Sequence, residues 1–184
     1  MTYLIAGIFI FFGIHLFPWF SARRDAAVAR LGIMPYKAAF ALIAGIGLGL
    51  MIYGYATTAR TFLWAPPEGA RSLAYMLVPL AILLAVSAEL KSNIHRLTAH
   101  PMLWGIGIWS AVHLLNNGDL ESLLLFGSFL VYAPAAMISA NLRGAAPRKE
   151  KTPVWRDIAT IVVGFVLTGL IVHFHEFMFG VAVV

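Results

Sequence analysis

The sequence predicts an all-α, polytopic membrane protein: six transmembrane helices in one bundle, with residues 1–184 forming a single transmembrane domain. Three observations predict it. Hydrophobic residues make up 61% of the 184 and charged residues only 11%, and the mean hydropathy is +0.86, more apolar side chain than one small soluble core hides. The apolar residues fall into six runs, each close to the roughly 20 residues that cross a bilayer. The alternating apolar and polar pattern of a membrane barrel is missing, so helices must satisfy the backbone in lipid.

The first run, about Tyr3 to Phe20, lacks the basic leader and small-residue cleavage site of a signal peptide; its basic residues follow it, and it is expected to be a retained span. The second, about Lys37 to Thr57, carries Ala41, Gly45 and Gly49 at four-residue intervals, a small-residue stripe expected to let another helix approach closely. The third, about Leu73 to Leu90, and the fifth, about Leu120 to Ala140, contain Pro79 and Pro134 as tolerated kinks. The fourth, Pro101 to Asn116, is the shortest and runs into "NNGD". Asn117 and Gly118 are expected to take the left-handed backbone of a tight reversal, and Asp119 to cap the next helix. The sixth runs from Trp155 to Phe179. Before it, "GAAPRKEKTP" reads as a solvated linker whose charges also suit anionic lipid headgroups.

Charge sets the orientation. Arg23, Arg24, Arg30 and Lys37 follow the first run, Lys91 and Arg96 the third, and Arg143, Arg148, Lys149, Lys151 and Arg156 the fifth. Only Arg60 and Arg71, of 13 lysines and arginines, lie in the opposite loops, beside Glu68, Asp119 and Glu121. The positive-inside rule therefore predicts a multi-pass membrane protein with both termini outside the cytoplasm, which for a bacterial inner membrane is the periplasm. A sequence pI near 9.8 would suit nucleic acid only if a soluble module carried a basic face with aromatics, and these charges lie between apolar runs instead, so nucleic acid is excluded as a partner. There is no cysteine, which removes disulfides, thiolate metal sites, iron–sulfur clusters and a cysteine nucleophile.

The chemistry-bearing residues are histidines. His95 sits in the basic loop "KSNIHR" and reads as solvated. His100 precedes Pro101 at a helix start, suited to headgroup contact. His113 lies 13 residues beyond His100, about 20 Å along a helix and on a largely different face, so the two do not share one metal ion. Beneath His113, Trp109, Met102 and Gly105 recur at helical spacing, and Gly105 is expected to leave room for a flat group. His15 counts about 12 Å from Arg23 along a continuous helix, His113 about 20 Å and His175 about 28 Å from the same face. These depths let His15 face His113, or His113 face His173 or His175. A haem b suits either pairing, because its axial ligands approach from opposite sides.

His15 and His113 are thus the first candidates for metal or haem ligation, against interhelical hydrogen bonding as the alternative. His100 and His175 are substitutes. His173, two residues from His175, points to another face. Asn116 and Asn117 are placed to orient His113. Glu89 and Glu176 sit at span ends, and no carboxylate pair has acid–base spacing.

The stretch "RLTAHPMLWGIGIWSAVHLLNNGDLESLLLFGSFLVYA" resembles the central signature of the NnrU family, in which HPML, W, HLL, NGD and LLFGSFL recur in this order. "GIHLFP" with "ARR", "GLGLMIYGY", "WAPP" and "HEFMFG" extend the likeness over nearly the whole chain. The resemblance implies an inner-membrane protein linked to nitrite and nitric oxide metabolism in denitrification. It also implies a relationship to plant zeta-carotene isomerase, a haem b membrane enzyme that turns a cis double bond trans. His15, His100, His113 and His175 occupy the family's histidine positions, and Glu176 stands where members often have proline. Two functions follow as expectations. One is a haem b protein acting in redox chemistry or on a hydrophobic, carotenoid-like substrate. The other is a non-enzymatic subunit or assembly factor of a larger membrane protein complex.

Overall fold

The computed structural model describes residues 1–180 and Val183. Among the described residues the chain is all-α, with seven helices: α1 (Thr2–Leu16), α2 (Ser21–Leu31), α3 (Ile33–Thr57), α4 (Ala70–Leu90), α5 (Pro101–Asn116), α6 (Leu120–Leu142) and α7 (Trp155–Phe179). Five are long and apolar enough to cross a membrane, α1 counting with the short 3-10 turn Phe17–Trp19 that follows it. At 16 residues α5 is shorter, so the six spans expected from the sequence reduce here to five long apolar helices and one short one. Side chains such as Phe9 and Phe177, 74% and 90% exposed, point outward from these helices and match a lipid surround rather than water.

The chain divides into two units, Met1–Arg60 and Thr61–Val184. In the first, α1 stops at Leu16 because Pro18 has no N–H to continue the α-helical ladder, and the chain tightens into the 3-10 turn. Arg and Ala then build α2, a helix absent from the sequence reading, whose side chains are all exposed or half-exposed. Gly32, at φ 85°, takes the positive φ that ends it and lets α3 begin at Ile33, four residues before Lys37.

Packing of α1 on α3 corrects the reading of the small-residue stripe. Gly45 and Gly49 have no described atom within 4 Å of an added Cβ, and Ala41 is exposed. The close approach uses the opposite face of α3. A Cβ on Gly47 would lie 2.7 Å from the Phe11 amide nitrogen, one on Gly54 would strike the Leu4 nitrogen, and one on Gly7 would lie 2.6 Å from the Met51 nitrogen. Leu4 and Met51, both fully buried, fill the seam between these glycines.

In the second unit α4 packs between α5 and α7, and α5 between α4 and α6. Gly105 and Gly164 permit the first two of these approaches: a Cβ on Gly105 would lie 2.5 Å from the Ala81 carbonyl oxygen, and one on Gly164 3.3 Å from the Leu83 Cα. Hydrogen bonds tie each end of this unit. At one end the Leu63 and Trp64 amides both donate to the Gly118 carbonyl (2.7 and 3.1 Å), and Leu120 donates to the Thr61 carbonyl (2.9 Å). The fully buried Glu121 accepts from the Thr61 amide at 2.9 Å and its hydroxyl at 3.2 Å.

"NNGD" is therefore a docking strip rather than a left-handed reversal. Asn117 is extended (φ −129°, ψ 113°), and Gly118 is not among the positive-φ residues. Glycine is required because a Cβ there would collide with the Trp64 carbonyl oxygen. The expected cap is present: Asp119 accepts from the Ser122 amide at 2.8 Å and its hydroxyl at 2.9 Å. At the other end Asn93, in the turn after α4, donates to both carboxylate oxygens of Asp157 and exchanges hydrogen bonds with the Thr152 backbone.

Candidate functional site

In a helix a side chain at position i reaches the carbonyl at i−4 and stacks beside the residue carrying it. His113 uses this register. It stands three residues before the end of α5 and its Nδ1–H donates to the Trp109 carbonyl at 2.8 Å. A carbonyl only accepts, so the neutral ring keeps its lone pair on Nε2. Among the described residues no hydrogen bond reaches that nitrogen, and the ring is held by its own helix rather than by an interhelical bond.

Aromatic rings wall this imidazole. Trp109 lies 4.9 Å and Phe126 4.6 Å from it, centroid to centroid. Trp109 meets Phe126 and Phe129 edge-on at 5.0 and 5.4 Å. Phe126 and Phe129, buried on α6, are one helical turn apart. The sequence reading passed over both, although the i, i+3 phenylalanines of "FGSF" carry the signal. His175 stands on the last turns of α7 beside Phe179 (4.9 Å). Both α5 and α7 are continuous, His113 lying three residues before the end of one and His175 four before the end of the other.

Other expected residues are placed differently. His15 belongs to the first unit, and His100, His113 and His175 belong to the second. It is the penultimate residue of α1, so the 12 Å depth, counted along one helix as far as Arg23, does not apply: the helix ends first. Its own setting repeats that of His113. Nδ1–H donates to the Phe11 carbonyl at 2.7 Å, the ring stacks on Phe11 at 4.1 Å, and Phe40 approaches edge-on at 5.1 Å.

His100 hydrogen-bonds through Nε2 to the Asn141 side-chain oxygen at 2.7 Å, linking the start of α5 to the end of α6. His173 is exposed, and His95 lies 3.4 Å from the Ala88 carbonyl. Gly105 leaves no room for a flat group, since the α4 backbone fills its space. Asn116 and Asn117 do not orient the imidazole: Asn116 donates to the Ala70 and Val112 carbonyls and Asn117 to the His113 carbonyl, at 3.0, 2.9 and 2.8 Å.

His113 stands beside an apolar aromatic wall, while Glu121 is committed to the loop at Thr61. Among the described residues no group of three or more His, Asp or Glu side chains gathers in a form suited to an all-protein metal cage. No curated protein and no solved structure matches the chain. The family model described as NnrU protein matches residues 3–183, nearly its whole length. The chain belongs to the NnrU family.

Proposed function

We propose that the protein is a haem b protein of the bacterial inner membrane, with His113 and His175 as the residues that would hold the group. The observation that carries this reading is the His113 ring. Its Nδ1–H is anchored on a backbone carbonyl, the arrangement in which metal-bound imidazoles are oriented and made more basic. His175, on the last turns of a different helix, would supply the second donor. Two imidazoles without a carboxylate partner suit haem iron. Trp109, Phe126 and Phe129 form an apolar aromatic wall beside His113 on which a macrocycle would lie. When bound, haem b supplies a redox-active iron whose potential follows its axial ligands and the polarity around it.

His15 is hydrogen-bonded in the same way on α1 and belongs to the first unit. His100, committed to Asn141, is the weakest of the four. In this reading all six runs span the membrane, α5 as a short span, with both termini periplasmic. The work done is either redox chemistry in nitrite and nitric oxide metabolism or cis–trans isomerisation of a carotenoid-like polyene. An apolar aromatic wall favours a hydrophobic ligand in both cases.

Haem content tests it. The protein purified from haem-replete cells is expected to carry close to one protohaem per chain by pyridine haemochrome assay. His113→Ala and His175→Ala each lower that content at least fivefold, and His173→Ala leaves it unchanged. Loss in His15→Ala with retention in His175→Ala overturns His175 as the second ligand. Haem-free wild type overturns the proposal. A non-enzymatic subunit of a larger complex is the second reading, favoured by the uncovered Ala41, Gly45 and Gly49 face of α3. It predicts a stable partner co-purifying in mild detergent, lost in Gly45→Leu.

A further inference from the structure

The end of the second unit opposite Glu121 gathers cations from two stretches more than 50 residues apart in sequence. Asn93 joins them: its amide and side-chain N–H groups donate to Asp157 at 2.8 and 2.6 Å, its side chain also donates to the Thr152 carbonyl at 2.9 Å, and its side-chain oxygen accepts from the Thr152 amide at 3.0 Å. The Arg148 amide adds a bond to the His95 carbonyl at 2.7 Å. Lys91 and Arg96 from the α4–α5 loop are thereby brought toward Arg148, Lys149, Lys151 and Arg156 of the linker and the first turn of α7. The nearby acids are Glu89, Glu150 and Asp157, and Asn93 occupies both oxygens of Asp157. Among the described residues none of the six cations forms an ion pair.

Two polar atoms of this clasp are left without a partner among the described residues: the Arg156 Nε and the Thr152 Oγ1, both buried. Such groups are costly to bury unless something accepts from or donates to them. Beside them the outward face of α7 is apolar: Trp155, Ile158 and Val162, spaced three and four apart, are 60%, 58% and 55% exposed. Cationic donors above an exposed apolar stripe match an amphiphile, with an anionic head and acyl chains, better than a free anion.

We propose that the Asn93 clasp is a binding site for an anionic phospholipid headgroup. The half-exposed Arg156 guanidinium contacts the phosphate, Arg148 and Lys151 add charge, and Trp155 and Ile158 lie along the acyl chains. The site is independent of the histidines and stands whether or not haem is bound.

Native mass spectrometry of the full chain, released from micelles doped with equal phosphatidylglycerol and phosphatidylcholine, tests it. The wild type is expected to retain phosphatidylglycerol in at least tenfold preference. Each near-surface cation contributes a factor of about five, so the triple variant R148Q/K151Q/R156Q abolishes the preference. Asn93→Ala, which keeps every cation but unties the clasp, reduces it severalfold. Arg148→Gln alone, on the linker and outside the helices, gives a readable drop should Asn93→Ala fail to fold. Equal retention of the two lipids by the wild type overturns the proposal, as does an undiminished preference in the triple variant. Full preference in a folded Asn93→Ala protein overturns the clasp as its basis. Displacement of the lipid by millimolar inorganic phosphate overturns the choice of a lipid as occupant.

Discussion

Gly118 and Glu121 show how single residues fix one end of the second unit. A side chain at Gly118 would meet the Trp64 carbonyl, whose residue donates its own amide to the Gly118 carbonyl. Gly118→Ala is therefore expected to destabilise the protein by about 1–3 kcal/mol through forced backbone movement. It should also expose the Thr61–Trp64 segment to limited proteolysis, with cleavage there ahead of global unfolding. Glu121 is fully buried and accepts two hydrogen bonds from Thr61. Glu121→Ala and Thr61→Ala should each lower stability by about 1–3 kcal/mol, and the double variant should cost less than the sum, because both remove one connection. Thermal melts in detergent check the cycle; full additivity would mean that the pair does not act as a unit. The sequence exposed the chemistry of "NNGD" only in part. Asp119 was legible as a cap from its position before an apolar run. The demand for glycine at 118 comes from a strand of loop more than 50 residues away, which no local pattern reveals.

For helices, what was legible is what depends on local chemistry. Pro101 supplies a first helical residue that needs no N–H partner, and α5 begins there; α7 likewise runs over its expected residues. The reading missed α2 because its Arg- and Ala-rich sequence carries no long apolar run. It also misjudged which face of α3 packs. Both α1 and α3 are apolar nearly all round, so hydrophobic periodicity has nothing to report and only backbone proximity decides. The contrast is measurable. Gly47→Ala places a methyl 2.7 Å from the Phe11 amide nitrogen and should lower stability by about 1–3 kcal/mol. Gly45→Ala has open space and should leave it unchanged or raise it by up to about 1 kcal/mol through helix propensity. Equal effects of the two substitutions in unfolding titrations would contradict the seam described for α1 and α3. The paired settings of Phe11–His15 and Trp109–His113 were half legible: the histidines and Trp109 stood out, whereas Phe126 and Phe129 became visible only when α6 was laid against α5.

At the scale of the whole molecule, charge asymmetry, apolar length and family membership converge on a membrane protein, and the histidines supply its proposed chemistry. The natural absence of cysteine makes orientation directly testable, because a single introduced thiol has no competitor. Glu68→Cys is expected to react with a membrane-impermeant maleimide in intact cells, and Lys149→Cys only after the membrane is opened; the reverse pattern would invert the proposed orientation. The central claim is that His113 and His175 together hold a haem. Its most direct measurement is the low-temperature electron paramagnetic resonance spectrum of the oxidised, purified protein, which separates two-imidazole from one-imidazole iron. The account predicts a low-spin ferric signal in the wild type that becomes high-spin in His175→Ala and vanishes with the haem in the double variant lacking both imidazoles. A low-spin signal that survives unchanged in that double variant would contradict it.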